Sequence, residues 1–394
     1  MRTLNGPWRY ALANALLMAL NAVLAYGGGW PLWLVAALAT VTGCALDEAV
    51  GDDRARLGAG SRLFFDTNLY ATLPLIATST YLMLCLLVGH KAPAGALGGG
   101  PPVVTAVLAT GYFYAAVGVT VAHELTHRVT SRPAQMWATL LFAFTLNPTF
   151  IAYHVHGHHR DVGTYGDPAT ARRGEYLLAF VARTVVAQSM AGWRLERERL
   201  RRKGLTAWSA RNRVLGGMLC SLMIVAAAAM IAGMAGVAAF LAAAAIGRIF
   251  NEMMNYVQHY GIVRAEGTPL GERHSWDCHR LLSNAVHYNL PRHADHHLFA
   301  AKPFWQLEAH AGSPRLPHGY TTMAMIALVP PWWHRTIDPL LADWDERLAD
   351  DVERSLVHSH GWTTGARNRA GAGPAHRLDA SAAVLGGSPR DQTQ

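Results

Sequence analysis

Six long apolar runs constrain the fold of this chain more than any other feature of its sequence. A helix needs roughly 20 consecutive apolar residues to cross the hydrocarbon core of a bilayer. The runs that approach this length are 8–26, 30–46, 70–89, 103–122, 214–232 and 234–250. A backbone in lipid must satisfy its own hydrogen bonds, which favours helices. We therefore expect an all-α integral membrane protein with about six transmembrane helices.

Two details of these runs predict local departures from straight spanning helices. The last two runs are nearly continuous and have Gly233 and Gly236 near their middle, which predicts a helical hairpin. A further apolar segment, 136–153, contains Asn147 and Pro148, which would lose backbone hydrogen bonds in lipid. We expect a buried or re-entrant helix there.

The distribution of arginine predicts the orientation of the chain. Cytoplasmic loops of membrane proteins carry an excess of Lys and Arg. Basic residues occur before the first run, in the 47–69 loop and densely in 123–213, whereas the 90–102 loop has only Lys91. We expect both termini and the large loops on the cytoplasmic side of a bacterial inner membrane. The first run carries no clear cleavage signal and is interpreted as a retained helix.

The overall composition excludes several classes of protein. The formal charge of +8 comes from basic residues that flank apolar spans, so positive-inside topology explains it better than nucleic-acid binding. The four cysteines form no CxxC pair, which argues against a structural zinc site or a fused iron–sulfur domain. Electrons, if the protein needs them, must come from a separate partner.

Outside the spans, the sequence predicts one membrane domain and a tail. Residues 176–203 begin apolar and end basic, which is typical of a helix along the interface, although the basic end could equally be a solvated face. We assign 1–362 to a single domain. The last segment, 363–394, is rich in Gly, Ala, Ser and Arg and is expected to be disordered.

The histidines carry the chemistry, and their spacing matters more than their number. The chain has twenty, and nine of them form four clusters close to the predicted spans. Most members are spaced i, i+4, so they share a helix face. The nine are His123, His127, His154, His158, His159, His259, His293, His296 and His297. A lone histidine is usually a surface or hydrogen-bonded residue, but repeated spacing makes coincidence a poor explanation here.

Nine imidazoles are more than one metal ion can use. A zinc site takes four ligands, and a catalytic zinc site takes three from the protein. Two first-row metals at four to six coordination would use nine, and neutral imidazole suits iron, copper, nickel or zinc. The segment 123–127, HELTH, also fits the HExxH signature of zinc proteases. That interpretation leaves seven histidines unexplained.

Metal-bound histidines usually donate their second ring N–H to a carboxylate or carbonyl group. The polar residues within the clusters are candidates for this supporting role. We select Glu124 and Asp295, which lie inside the motifs, together with Asn255 and Asp167. Each could instead cap a helix or pair with an arginine.

These motifs resemble a known family. HELTHR at 123–128, HVHGHH at 154–159, NYVQHYG at 255–261 and LPRHADHH at 290–297 are similar to the histidine boxes of membrane-bound alkane 1-monooxygenases and xylene monooxygenases. These enzymes belong to the wider membrane desaturase and hydroxylase superfamily. The resemblance covers roughly residues 100 to 350. One departure is Tyr153, where alkane hydroxylases usually have glutamate before the second box.

The resemblance implies a non-haem diiron centre on the cytoplasmic side, with the nine histidines as iron ligands. It also implies O2 as co-substrate and electrons from NAD(P)H, delivered by rubredoxin or ferredoxin with a reductase. The implied reaction is hydroxylation of an unactivated terminal or benzylic C–H bond in an alkane or alkyl aromatic. The substrate would reach the metals from the bilayer.

Two other kinds of function stay open at this point. A fatty-acyl desaturase, hydroxylase or decarboxylase would use the same scaffold, and the NYVQHYG box argues against it. A metal transporter would need ionisable residues along the spans, which are nearly free of them. The histidines instead gather at one end of the spans, which favours an enzyme.

Overall fold

A computed structural model describes residues 6–27, 30–53, 61–89 and 102–359, and every regular element in those ranges is a helix. In chain order these are α1 Ala11–Ala25, α2 Trp30–Ala39, α3 Val41–Val50, α4 Arg62–Leu87, α5 Pro102–Phe113, α6 Thr120–Thr126, α7 Arg132–Ala143, α8 Phe150–Tyr153, α9 His159–Asp161, α10 Leu177–Arg201, α11 Arg213–His259, α12 Leu281–Val286, α13 His293–Leu298, α14 Tyr320–Ala327, α15 Pro330–Arg347 and α16 Asp351–Ser359. Two π-helical turns, Tyr114–Val119 and His154–His158, join neighbouring helices. The all-α prediction is confirmed for these ranges. The tail at 363–394 lies outside the described residues.

Four helical segments of the described chain are long and apolar enough to cross a membrane. They are Pro7–Ala25, Arg62–Leu87, Val103–Thr126 and Arg213–His259. Together they contain most of five of the six predicted runs, which makes the chain a membrane protein. The number of crossings and the side on which each loop lies stay predictions.

The run 30–46 is not one continuous helix. It divides into α2 and α3, which have ten residues each and meet at Thr40, whose backbone is not helical. A ten-residue helix is about 15 Å long, half of what a bilayer core requires. The far end of α3 contacts the histidine-bearing part of the chain. Asp47 accepts hydrogen bonds from the backbone N–H groups of Leu282 and Ser283, so this helix is tied to the loops that carry the third histidine box.

The predicted hairpin is present in α11. Ala232 and Gly233 leave helical geometry, and Gly233 adopts a positive φ of 60°. Ser221 donates a hydrogen bond to the Ala143 carbonyl at 3.3 Å, while Gly247 packs against Thr145. In a straight helix residues 221 and 247 would be about 39 Å apart. Since both contact the end of α7, the chain reverses direction at Gly233.

The segment 136–153 is also broken where its sequence suggested. Asn147 and Pro148 fall between α7 and α8, and Leu146 just before them has a positive φ of 52°. Asn147 is buried, and Pro148 packs against Gly217 at the start of α11. The break places α8, and with it the second histidine box, against α10.

Close helix packing at Gly192 positions this box. A methyl group on Gly192 of α10 would lie 2.6 Å from the Thr149 carbonyl oxygen, a backbone atom that cannot rotate away. We expect Gly192→Ala to separate α10 from α8 and to destabilise the protein by about 1–3 kcal/mol, as overpacking does. Thermal unfolding of detergent-solubilised protein measures this. Gly216→Ala is the matched control, because a methyl group there meets open space, and equal losses in the two variants would contradict the argument.

Candidate metal centre

Nine histidine side chains converge into two groups next to one another. The five-histidine group contains His123, His127, His154, His159 and His296. The four-histidine group contains His158, His259, His293 and His297. Within each group the ring nitrogens lie within 4.8 Å of one another, which is the spacing of ligands around one metal ion. These are the nine residues that the sequence singled out.

Two of the histidine boxes contribute to both groups. His158 and His159 are neighbours in the chain but belong to different groups, with ring centroids 6.0 Å apart. The π-helical turn His154–His158 ends at this division. Such turns are rare and occur often at functional sites. The third box divides in the same way, since His296 of α13 joins the five-histidine group while His293 and His297 join the other. The two metal positions therefore share their supporting elements.

The ring nitrogens face one another too closely for hydrogen bonds alone to explain. His293 Nε2 lies 3.0 Å from His259 Nε2 and 3.1 Å from His297 Nε2. In the other group, His159 Nε2 lies 3.1 Å from the Nε2 atoms of both His154 and His296. A neutral ring nitrogen carries at most one hydrogen, so it cannot donate to two partners. The lone pairs converge instead, as they do around a cation.

Burial keeps these rings in the form that binds metals. Desolvation lowers the pKa of His127 to about 3, and the neighbouring His158 adds to the effect. The same two causes bring the pKa of His293 to about 3. Burial and the other rings hold the pKa of His154, His159, His296 and His297 well below the ordinary value for histidine. Neutral imidazole is a good ligand for iron, copper, nickel and zinc.

One carboxylate supports the four-histidine group directly. His158 Nδ1 lies 2.9 Å from Asp167, and since a carboxylate only accepts, the nitrogen donates and leaves Nε2 free for a metal. Asp167 also accepts hydrogen bonds from the hydroxyls of Tyr153 and Thr170. Burial alone would raise the pKa of Asp167, but His158 and these hydroxyls bring it below the ordinary value. The aspartate therefore stays ionised.

The sequence offered three more candidates for supporting the histidine rings. Each of these three side chains bonds to groups other than the nine rings. Glu124 bonds with Arg128 and the Phe304 backbone N–H. Asp295 accepts from Lys302, His310 and the Glu308 backbone N–H. Asn255 donates to Glu252. They link the histidine-bearing segments to the surrounding loops and helices.

Several polar residues that bond to Asp167, Asp295 or Asn255 could not be identified as such from the sequence. Thr170, Lys302 and His310 were not selected, although Thr170 follows Asp167 by only three residues. Glu252 had a visible signal, because it is an acidic residue four positions after Arg248 at the end of an apolar run. Tyr153 was noted only as a departure from the resembling family. Its contact with Asp167 gives that departure a structural role.

Removal of the supporting carboxylate should weaken metal binding in the four-histidine group. We expect Asp167→Ala to lower metal affinity or activity by roughly 10- to 100-fold, the usual effect of losing such a partner. Metal content after a timed chelator challenge measures the affinity. Asp161→Ala is the control, because Asp161 pairs with the exposed Arg160. If both variants released metal at the wild-type rate, the role assigned to Asp167 would be wrong.

An apolar pocket opens onto both histidine groups. Its wall includes His123 and His154 from the five-histidine group and His293 from the four-histidine group. The rest of the wall comes mainly from the helices before the first box and from the second half of α11. Its apolar side chains are Tyr112, Ala115, Ala116, Val119, Phe150, Phe250, Met254, Leu290 and Ala324. The largely apolar lining suits a hydrophobic ligand with one end at the histidine rings.

Comparison with known proteins agrees with this architecture. Residues 99–327 match the fatty acid desaturase family. Alkane 1-monooxygenase 2 of Pseudomonas aeruginosa is 32% identical over 332 residues, which cover 80% of this chain and 85% of that protein. The xylene/toluene monooxygenase hydroxylase component XylM of Pseudomonas putida is 29% identical over 333 residues, covering 84% and 88%.

A third relative, alkane 1-monooxygenase 1 of Pseudomonas aeruginosa, is 35% identical over 238 residues. The match covers 59% of this chain and spans 62% of that protein's length. The region 99–327, which matches the family, contains the histidine boxes whose side chains form the two groups. The chain belongs to the fatty acid desaturase family, within its group of alkane and xylene membrane monooxygenases.

Proposed function

We propose that this protein hydroxylates an unactivated terminal or benzylic C–H bond of a hydrophobic substrate, an alkane or alkyl aromatic, at a diiron centre held by the nine histidines. The observation that carries the proposal is the apolar pocket that ends at rings of both histidine groups. The names of the relatives, alkane 1-monooxygenase and xylene/toluene monooxygenase, support the reaction class.

The donor set fits two iron ions, with five and four neutral nitrogens that converge on two adjacent points. Bound iron supplies the activation of O2, chemistry that no amino-acid side chain provides. The protein's own contribution is positional. Asp167 holds His158 in one tautomer, and the apolar wall around Phe150 and Val119 keeps the reacting carbon away from bulk water. One oxygen atom enters the C–H bond, and the other leaves as water.

Electrons reach the centre from a separate redox protein in this proposal, rubredoxin or ferredoxin with its NAD(P)H-dependent reductase. The four cysteines of the chain lie apart as free thiols, which supports an external donor. A surface cleft reaches His127, and its lining carries both basic and acidic side chains, among them Arg128, Lys302, Asp66 and Glu308. At the basic end of α10, Arg201 and Arg202 both pair with Glu198.

The proposed topology has six crossings, with α2 and α3 together as the second. Both termini and the histidine groups lie on the cytoplasmic side of a bacterial inner membrane, as the arginine distribution predicts. The four span-capable segments and the hairpin in α11 support it. Cysteine labelling of introduced surface residues in intact cells tests the orientation. Labelling of residues in the histidine-bearing loops by a membrane-impermeant reagent would contradict it.

Whole-cell oxidation tests the function. Cells that express the chain with rubredoxin, ferredoxin and their reductases receive octane, dodecane, p-xylene and a medium-chain fatty acid, and products are identified by mass spectrometry. His293→Ala provides the blank. We expect a 1-alkanol or a benzylic alcohol that is absent from the blank.

Other products would indicate a different reaction on the same scaffold. An alkene would indicate a desaturase, and a product from the fatty acid alone would indicate an acyl oxidase on the same scaffold. Iron-loaded protein in the membrane that forms no product from any of the four compounds would contradict the proposed hydroxylation of simple hydrocarbons.

A further inference from the structure

The outer face of α10 changes from apolar to basic along its length. Leu178, Val186 and Met190 are 73%, 59% and 57% exposed, and Ala182 between them is exposed as well. Their spacing of four residues and its multiples places them on one side of the helix, while the opposite side packs against α8 and α11. We call these four residues the apolar stripe. Contiguous apolar side chains left exposed on a protein mark a surface that binds another molecule or a membrane.

Beyond Met190 the same face of α10 becomes basic. Arg194, Arg197 and Arg201 continue the spacing of the apolar stripe, and all three are exposed. More cations follow in the loop 202–212 and at the start of α11. From residue 194 to residue 213 the chain has eight basic and two acidic residues, a net charge of +6. An apolar stripe that continues into concentrated positive charge is typical of helices that lie at a membrane surface.

The loop 202–212 is fastened to the end of α10. The Arg199 guanidinium donates to Glu196 at 2.6 and 2.7 Å and to the Arg211 carbonyl oxygen at 2.8 Å. The backbone N–H of Arg213 donates to the same Glu196 carboxylate at 2.7 Å. Glu196 is buried, so these bonds are shielded from water. The cations of the loop therefore gather beside those of α10.

Several of these cations are not neutralised within the described part of the chain. Glu196 pairs with Arg199, and Glu198 is shared by Arg201 and Arg202. Five further basic side chains, all exposed, have no carboxylate partner among the described residues. They are Arg194, Arg197, Lys203, Arg211 and Arg213, which we call the basic corner. Because like charges repel, an anion bound among them would stabilise this arrangement.

Two tryptophans lie where the apolar stripe meets the basic corner. Trp193 directly precedes Arg194, and its ring centroid lies 6.1 Å from that of Trp208 in the loop. Trp208 is 78% exposed. Tryptophan is enriched where the acyl region of a bilayer meets the headgroups. The tryptophan pair therefore marks that depth on this side of the protein.

A membrane surface matches the whole pattern better than a soluble protein does. An acidic protein would pair with the basic corner but would leave the apolar stripe in water. A leaflet that contains anionic lipid covers both, because acyl chains contact the stripe while phosphate groups contact the cations. We propose that the outer face of α10 lies in the membrane interface and that the basic corner binds the headgroups of anionic phospholipids. This binding does not depend on the reaction at the metal centre.

Thermal stabilisation by added lipid tests the proposal without turnover. The purified full chain in a non-ionic detergent is titrated with phosphatidylglycerol or with phosphatidylcholine of the same acyl chains. A ligand that binds only the folded protein raises its melting temperature with concentration. We expect phosphatidylglycerol to bind at least about 25-fold more tightly, since each cation near an anionic surface contributes about fivefold. High salt should reduce the difference because it screens exposed charges.

A pair of double variants shows whether the basic corner causes this preference. Lys203→Gln with Arg211→Gln removes two of its cations and should remove most of the preference for phosphatidylglycerol. Arg315→Gln with Arg347→Gln is the matched control, because it removes the same charge from exposed arginines that pair with aspartates. We expect the control to retain the preference. Equal effects in the two double variants, or equal stabilisation of the wild type by the two lipids, would overturn the inference.

Two further ligands distinguish other sources of the anion. Glycerol phosphate carries the charged group without acyl chains, so it should stabilise the protein far less than phosphatidylglycerol does. An acidic rubredoxin should stabilise the wild type and the Lys203→Gln, Arg211→Gln variant to the same degree. If glycerol phosphate matched phosphatidylglycerol, the basic corner would be a site for a soluble anion. If the variant alone lost stabilisation by rubredoxin, the corner would dock a protein, and either result would contradict the proposal.

Discussion

Replacement of His297 by alanine is expected to reduce bound iron by about one ion per chain and to lower hydrocarbon oxidation by at least about 100-fold. The four-histidine group would retain only three ring nitrogens, His158, His259 and His293. Without the fourth ring, the remaining nitrogens also lose the 3.1 Å contact that places His293. Elemental analysis of purified protein after dialysis measures the iron, and product formation measures the activity.

The five-histidine group should respond differently to the loss of one ligand. His127→Ala leaves four ring nitrogens, the number that the intact four-histidine group offers. We therefore expect this variant to keep more of its iron than His297→Ala does. His358→Ala, on the exposed end of α16, serves as the control. Full iron content and activity in His297→Ala, or equal losses in all three variants, would show that the grouping does not describe the metal sites.

The second large effect is expected at Asp53, where Asp53→Ala should destabilise the protein by about 3–5 kcal/mol. The Asp53 carboxylate lies 2.9 Å from Arg9 and 2.7 Å from Arg292, and its side chain is fully buried. Arg9 precedes α1, whereas Arg292 directly precedes His293, so this ion pair network joins the first span to the third histidine box. Removal of the carboxylate takes this shared counter-ion away from two buried guanidinium groups.

Thermal unfolding in detergent gives the readout. For a chain of this size, a decrease of about 3–5 kcal/mol in the free energy of unfolding corresponds to a decrease of roughly 5 °C in melting temperature. Iron content should fall as well, because Arg292 no longer holds the start of α13. Asp343→Ala is the matched control, since Asp343 pairs with Arg347 on the exposed surface, and we expect no measurable change there. Equal melting temperatures for Asp53→Ala and wild type would rule out the proposed role of this network.

The membrane class and the nine histidines could be predicted from the sequence because both depend on local patterns. Apolar runs of about 20 residues and pairs spaced i, i+4 are properties of short segments. Gly233 likewise marked the turn of the hairpin, since glycine readily adopts the positive φ found there. These features need no knowledge of distant contacts.

The run 30–46 shows where local patterns fail. Its composition suits one continuous helix, yet the helix breaks at Thr40, and Asp47 just after the run accepts a hydrogen bond from the backbone N–H of Ser283, 236 residues away in the chain. That contact fastens α3 to the histidine-bearing loops. Hydropathy measures the preference of a segment for lipid and contains no information about such a partner.

By itself, the sequence determined that the chain is a helical membrane protein and which histidines come together in the fold. Only the tertiary structure decided how these histidines divide, since adjacent His158 and His159 join different groups through the packing of α11 and α13. It also decided that Gln188 of α10 donates a hydrogen bond to the buried Glu252 of α11. Spacing along a helix determines which side chains share a face. The partner of that face depends on the packing of segments far apart in the chain.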